Sequence, residues 1–285
     1  MTDNTEYVQW FRQSSPYINA HRGKTFVIMF DGDALLHPNF DTLVQDIALL
    51  NSLGVRLVLV HGARPQIDAV LERLDITSQF HNDLRITDGE ALRAVKAAVG
   101  MVKADIESRL SIGIPGSPMH GARIRVVSGN FVTAKPLGVI NGVDYQHTGE
   151  VRRIEHQAVS HLLDQQNVVL LSCSGYSPSG EMFNLSVEDV ARHAAVALRA
   201  DKLIAFGEND GLTGEDGTAQ ELVACGKVID DHEVFILSDD GEVLTEHTGN
   251  LVEQDRIGRF VLQTNDLTVT RGKNHIGKGG SHVAH

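Results

Sequence analysis

Four short stretches of the chain are dominated by apolar residues and show no alternation: Thr25–Phe30, Val55–Val60, Asn167–Ser172 and Ala200–Phe206. A run without alternation reads as a strand covered on both faces, the situation of a parallel sheet. Between these runs the apolar positions change to a spacing of three and four. Leu43, Ile47 and Leu50 form one such stripe, and Ile67, Val70, Leu71 and Leu74 a second. Leu92, Val95, Val99, Val102, Ile106 and Leu110 form a longer third stripe, and Val187, Val190, Ala191, Ala194, Ala197 and Leu198 a fourth. Strands alternating with helices predict an α/β fold: a largely parallel sheet with helices on both faces.

The punctuation agrees with this reading. Gly54 stands where a helix needs its left-handed C-cap, and Pro65 where a first helical turn tolerates proline. Thr87 with Glu90 fits a capping box, and Ser186 is a natural N-cap with Asp189 three residues on. From 111 to about 155 glycines and prolines break the chain into β-like pieces, Ile124–Val127, Phe131–Ala134 and Val151–Ile154. That segment reads as a β-hairpin-rich flap covering a small-molecule site or the sheet's edges. Residues 1–22 form an amphipathic lead-in whose Tyr7, Val8, Trp10 and Phe11 offer an apolar patch, to the chain's own domain or to a second copy. Past Val228 the pattern fades, with Val234–Leu237 and Phe260–Leu262 as short strand candidates. The chain thus divides into a lead-in (1–22), an α/β domain (23–228) and a divergent segment (229–285).

Bulk properties narrow the function classes. A formal charge of -12 over 285 residues argues against a nucleic-acid binder, which needs clustered Lys and Arg. No apolar run reaches the roughly 20 residues of a membrane span, and the polar, acidic start is unlike a signal peptide. The expectation is a cytoplasmic protein with neither membrane nor nucleic-acid partner. Two cysteines, Cys173 and Cys225, make neither a disulfide framework nor a metal site. Gly272–Lys278 has P-loop spacing, but Gly279 stands where that motif needs Ser or Thr. His275, His282 and His285 read as part of a disordered tail rather than as metal ligands.

The candidate chemistry lies in Val55–Ile67. A strand, a Gly62-Ala63 turn and a helix opening at Arg64-Pro65 point backbone N–H groups at one spot and favour an anion there. An ordinary βα turn has the same pattern, and Arg64 serves equally as a surface ion-pair residue. Arg85, just ahead of the next helix, can fork onto a carboxylate.

Several stretches, taken in order, carry a resemblance. They are Pro16–Met29, His61-Gly62-Ala63-Arg64-Pro65-Gln66-Ile67-Asp68, Arg85-Ile86-Thr87-Asp88, Val126–Phe131, Pro136–Val139, Gly142–Tyr145, Thr148–Ile154 and Phe183-Asn184-Leu185. Over residues 7–222 the sequence resembles the amino-acid-kinase-like domain of bacterial N-acetylglutamate synthases, the amino-acid N-acetyltransferases of arginine biosynthesis. More distantly it is similar to the acetylglutamate kinases. The resemblance implies a three-layer α/β sandwich, a homo-oligomer, and a ligand that is L-arginine or an N-acetylglutamate-like molecule. It implies a ligand site at Gly62, Ala63, Arg64, Arg85 and Asn184, with Asn184 bonding an amide or carboxylate.

Two departures shape the functional expectation. The kinases place a lysine on the first strand where this chain has Met29, followed by Asp31-Gly32-Asp33, whose carboxylates repel a triphosphate. Glu188 matches the carboxylate that organises the kinase lysines, and helix capping explains an acid there equally well. Phosphoryl transfer is electrostatic positioning above all, so ATP is not an expected cofactor. The family's acetyltransferase domain, which holds acetyl-CoA, has no counterpart in the chain, so no catalytic residue is assigned and no cofactor is expected in this chain. The leading expectation is a ligand-binding, regulatory, catalytically inactive domain. The alternatives are a carboxylate kinase using ATP through Lys24 or Lys202, and an oligomerisation scaffold.

Overall fold

The computed structural model describes residues 4–82, 84–112 and 124–206, together with the backbones of three short strands beyond them. The elements run α1 (Asn4–His21), β1 (Thr25–Phe30), a 3-10 turn at Ala34–Leu36, α2 (Phe40–Ser52), β2 (Arg56–His61) and α3 (Arg64–Arg73). A hairpin of β3 (Gln79–His81) and β4 (Leu84–Ile86) leads into α4 (Gly89–Ile112). Then come β5 (Val126–Ser128), β6 (Val132–Pro136), β7 (Val139–Ile140), β8 (Val143–Asp144), β9 (Gly149–Ile154) and α5 (His156–Asp164). The chain continues through β10 (Val168–Ser172), β11 (Ser174–Tyr176), β12 (Met182–Asn184), α6 (Val187–Leu198) and β13 (Lys202–Phe206). The strands β14 (Leu212–Thr213), β15 (Ala219–Gln220) and β16 (Glu233–Leu237) follow.

Six strands form the central sheet in the order β16-β13-β1-β2-β10-β5, and every pairing in it is parallel. The four apolar runs of the sequence are its inner strands. Helices α5 and α6 pack on one face, and α2 and α4, with α3 against α4, on the other. Both faces being covered is why β2 and β10 carry buried residues at successive positions. The core follows: Val27, Leu57, Leu59 and Leu170 from the sheet, Ile47, Val95 and Ile106 from one helical layer, Val159 and Val190 from the other. The fold is the expected three-layer α/β sandwich.

The flap is a second sheet in the order β12-β11-β6-β9. Its long antiparallel pair, β6 with β9, carries an irregularity between Thr133 and Ala134, and the small β7–β8 hairpin lies between these two strands in sequence. Two features of this region differ from the sequence expectation. Val126–Ser128, expected as a flap piece, is instead the edge strand of the central sheet, paired with β10. Ser174–Tyr176 and Met182–Asn184, for which the sequence pattern predicts no strand, supply β11 and β12 to the flap. Residue pairs this few give no readable period, and tertiary pairing decides them. Val234–Leu237 falls within β16, parallel to β13. Phe260–Leu262, Gly272–Lys278 and the terminal histidines lie outside the described residues.

Candidate carboxylate site at the ends of the parallel strands

The site is built where β1, β2 and β10 end. The turns after β1 and β2 press against each other. A methyl group at Gly32 would lie 2.5 Å from Gln66 Oε1 and 2.6 Å from Pro65 Cδ. One at Gly62 would lie 3.0 Å from Gly32 N and 3.1 Å from Asp31 Oδ1. Only glycine permits that approach. The Gly62 N–H, expected to face a ligand, donates to Phe30 O at 2.9 Å. Gly62 therefore contributes close packing rather than an anion-binding amide. Ala63 is the N-cap of α3, with Pro65 in the first turn and no side-chain cap. Gln66 Nε2 donates to Gly32 O at 2.6 Å and fastens the two turns together.

Arg85 lies on β4, opposite Phe80 in the hairpin register. Its side chain is only 5% exposed. The guanidinium sits 4.6 Å from the Phe80 ring centre, while Arg64 lies 5.3 Å from the same ring. Arg85 Nη1 donates to Ser78 Oγ, and Nη2 pairs with Asp68 Oδ1 on α3. The structure thus brings Arg64 and Arg85 together around one aromatic ring, and shows Arg85 already holding a carboxylate of the chain itself.

Asn184 is joined to Arg85 through two threonines. Asn184 Nδ2 donates to Thr87 Oγ1 at 3.2 Å. The Thr87 and Thr148 hydroxyl oxygens are 2.9 Å apart, and Thr148 donates to the Arg85 carbonyl. Thr148 Oγ1 also accepts from Thr87 N at 3.1 Å. Both threonines are buried. Backbone bonds from His147 N to Thr87 O and from Asn184 N to His147 O, each 2.9 Å, lace the three segments together. Thr87 is therefore not the cap of α4. Asp88 takes that role, its Oδ1 accepting from Glu90 N at 3.0 Å and Ala91 N at 2.8 Å. Sequence reasoning missed both Thr148 and Asp68; a threonine in a Gly-rich stretch and an acid on a helix carry no signal of their own.

Behind the turns lies a buried layer that titrates reluctantly. His61 Nδ1 donates to Gly62 O at 3.0 Å, which leaves Nε2 to accept from Ser172 Oγ at 2.9 Å. Burial lowers its pKa to about 4 against the opposing backbone bond, so the ring is neutral. Burial likewise pushes the Cys173 thiol up to about 12, a packed side chain and not a nucleophile. Glu188 sits in the first turn of α6, bonded by the Ser186 hydroxyl, and Ser186 caps that helix through Asp189 N at 3.2 Å as expected. Asp189 ties α6 to the flap, accepting from Val151 N at 2.9 Å.

The phosphate-binding parts of a kinase are not matched by the described residues. Met29 lies near the end of β1, between Val60 and Ala205 of the neighbouring strands, and is uncharged. The turn that follows carries Asp31 and Asp33, which oppose a polyphosphate. Among the described residues no group of His, Cys, Asp and Glu is placed to hold a metal ion. No helix among them is long and apolar enough to cross a membrane.

A parallel sheet between two helical layers, with glycine turns and a polar cluster at its carboxyl edge, defines an α/β sandwich of the class whose ligand sites lie beyond the strand ends. The chain belongs to the amino acid kinase family, whose model matches residues 24–270. It is 58% identical over 212 residues to the amino-acid acetyltransferase of Pseudomonas syringae pv. syringae, a match covering 74% of this chain and 49% of that protein. The corresponding protein of Azotobacter vinelandii is 57% identical over 213 residues, covering 75% of this chain and 49% of the relative. The chain thus spans about half the length of the curated relatives it matches. Among solved structures, N-acetylglutamate synthase from Neisseria gonorrhoeae complexed with coenzyme A and L-arginine superposes with a TM-score of 0.71 at 32% identity. That match covers 84% of this chain and 63% of the other. The same enzyme complexed with coenzyme A and N-acetyl-glutamate gives 0.65 at 36% identity, covering 74% and 48%.

Proposed function

We propose that this chain is the ligand-binding, amino-acid-kinase-like part of an N-acetylglutamate synthase of arginine biosynthesis, and that it is catalytically inactive alone. Its ligand is an N-acetylglutamate-like or arginine-like molecule, whose carboxylate meets the Arg85 guanidinium beside the start of α3. The observation that carries this reading is the buried Arg85 side chain, 5% exposed, aromatically stacked and engaged with a carboxylate. A guanidinium is kept out of water at considerable cost unless an anion meets it. Asn184, held by Thr87, supplies a hydrogen bond to the ligand's amide or second carboxylate, and Arg64 a second cation above Phe80. Inactivity as a kinase follows from Met29 and the flanking Asp31 and Asp33. On this reading the domain uses neither ATP nor acetyl-CoA.

The exposed Val8, Phe11 and Tyr17 of α1 favour contact with a second copy, so the domain also serves assembly. The experiment is isothermal titration of the purified chain with N-acetylglutamate and with L-arginine, beside a thermal-shift series with ATP-Mg²⁺. Saturable heat with either amino-acid ligand and no shift with nucleotide is expected. A nucleotide shift, or CoA release from acetyl-CoA and glutamate, would overturn the assignment.

A further inference from the structure

The carboxylate that Arg85 holds is supplied by Asp68, and the two partners are unequal. Arg85 is 5% exposed and Asp68 51%. The arginine has anchors besides Asp68. Its ring neighbour Phe80 and Ser78 hold the guanidinium, and its backbone is held by the hairpin register and by Thr148 on its carbonyl. Asp68, by contrast, projects from the solvent side of α3 and reaches Arg85 through a single oxygen. Half of its side chain already faces solvent. Arg64, one helical turn before it on α3, lies beside the same ring.

We infer that Asp68 is a built-in competitor for the ligand: its carboxylate occupies the Arg85 guanidinium and must be displaced when a ligand carboxylate arrives. The inference rests on the Arg85 site proposed above. It makes binding an exchange of one carboxylate for another, so the ligand wins only through what Asp68 lacks. That surplus is a second oxygen for the guanidinium fork and the neighbouring start of α3. A monodentate or misaligned anion gains nothing over Asp68, so the competitor also sharpens selectivity.

The test is titration of the full chain with N-acetylglutamate, comparing wild type with Asp68→Asn and Asp68→Ser, each first shown to melt cooperatively. Removal of the competitor is expected to tighten binding by roughly fivefold, the upper end of what a half-exposed ion pair withholds. The uncharged diamide of the same ligand is expected to show no gain. Equal or weaker binding of N-acetylglutamate by both variants would overturn the competitor role and make Asp68 a positioning residue for Arg85. Absence of binding by wild type and both variants would instead overturn the proposed site, and the competitor with it.

Discussion

Replacing Arg85 by Ala tests the site at its strongest point. The guanidinium offers a ligand carboxylate two charge-assisted hydrogen bonds in a setting where its side chain is 5% exposed, and such bonds contribute about 1.5–3 kcal/mol each. Part of that is offset, because Asp68 already satisfies one guanidinium nitrogen. The net loss in Arg85→Ala is therefore about 2 kcal/mol, or roughly 30-fold in Kd for N-acetylglutamate. Arg85→Lys keeps the charge but loses the planar fork, and about fivefold is expected. Titration calorimetry reads both. Arg85→Ala also removes the partner of Ser78, Asp68 and Phe80, so the melting temperature falls, and binding has to be measured well below the variant's transition. Affinity unchanged in a folded Arg85→Ala protein would refute the reasoning, because no carboxylate would then meet the guanidinium.

Gly32→Ala places a methyl group 2.5 Å from Gln66 Oε1 and 2.6 Å from Pro65 Cδ; a loss of about 1–3 kcal/mol in urea unfolding is expected, and an unshifted midpoint would show that the turns are not in contact. His61, whose folded pKa is held near 4 by burial against an ordinary value near 6.5 in the unfolded chain, binds its proton more readily when unfolded. Its contribution is complete above about pH 6.5 and declines as pH falls toward 4, by up to about 3 kcal/mol; a His61→Gln protein should lose that part of the pH dependence, and parallel curves would count against the neutral buried ring. For Asp189, burial raises the pKa but His193, the Val151 amide and Arg192 outweigh it and hold it at about 2, so its contribution is full above about pH 4 and is lost on acidification toward 2. Asp189→Asn should therefore flatten the acid limb of unfolding. The Cys173 thiol, raised to about 12 by burial, should resist a thiol reagent at pH 8 in a Cys225→Ser background and react on unfolding; fast labelling of the native protein would contradict its burial.

The layers of the fold were legible because burial on both faces writes itself into a strand as an unbroken apolar run, as in Val55–Val60, and burial on one face writes a helix stripe, as in Leu92–Leu110. Caps that act locally, Gly54 and Ser186, were legible for the same reason. The site was legible only in its members. Arg85 and Asn184 could be singled out, but their junction depends on Thr87 and Thr148 meeting across 61 positions and on Asn184 reaching Thr87 across 97. No periodicity encodes such contacts. Thr87 was misread as a cap because Thr-x-x-Glu also opens helices, and here Asp88, one residue later, makes the bonds. That the Gly62 N–H goes to Phe30, a partner on another strand, was not legible for the same reason as the threonine contacts. Asp68 left no trace, since an acid on the exposed side of a helix is ordinary until the hairpin folds back over it.

The most direct test of the central claim is a crystal structure of the chain soaked or grown with N-acetylglutamate. The account predicts the ligand at the carboxyl ends of β1 and β2, one carboxylate forked onto Arg85, Asn184 within hydrogen-bond distance, and Asp68 turned out to solvent. A ligand bound elsewhere, or one bound here with the Asp68–Arg85 pair intact, would contradict it.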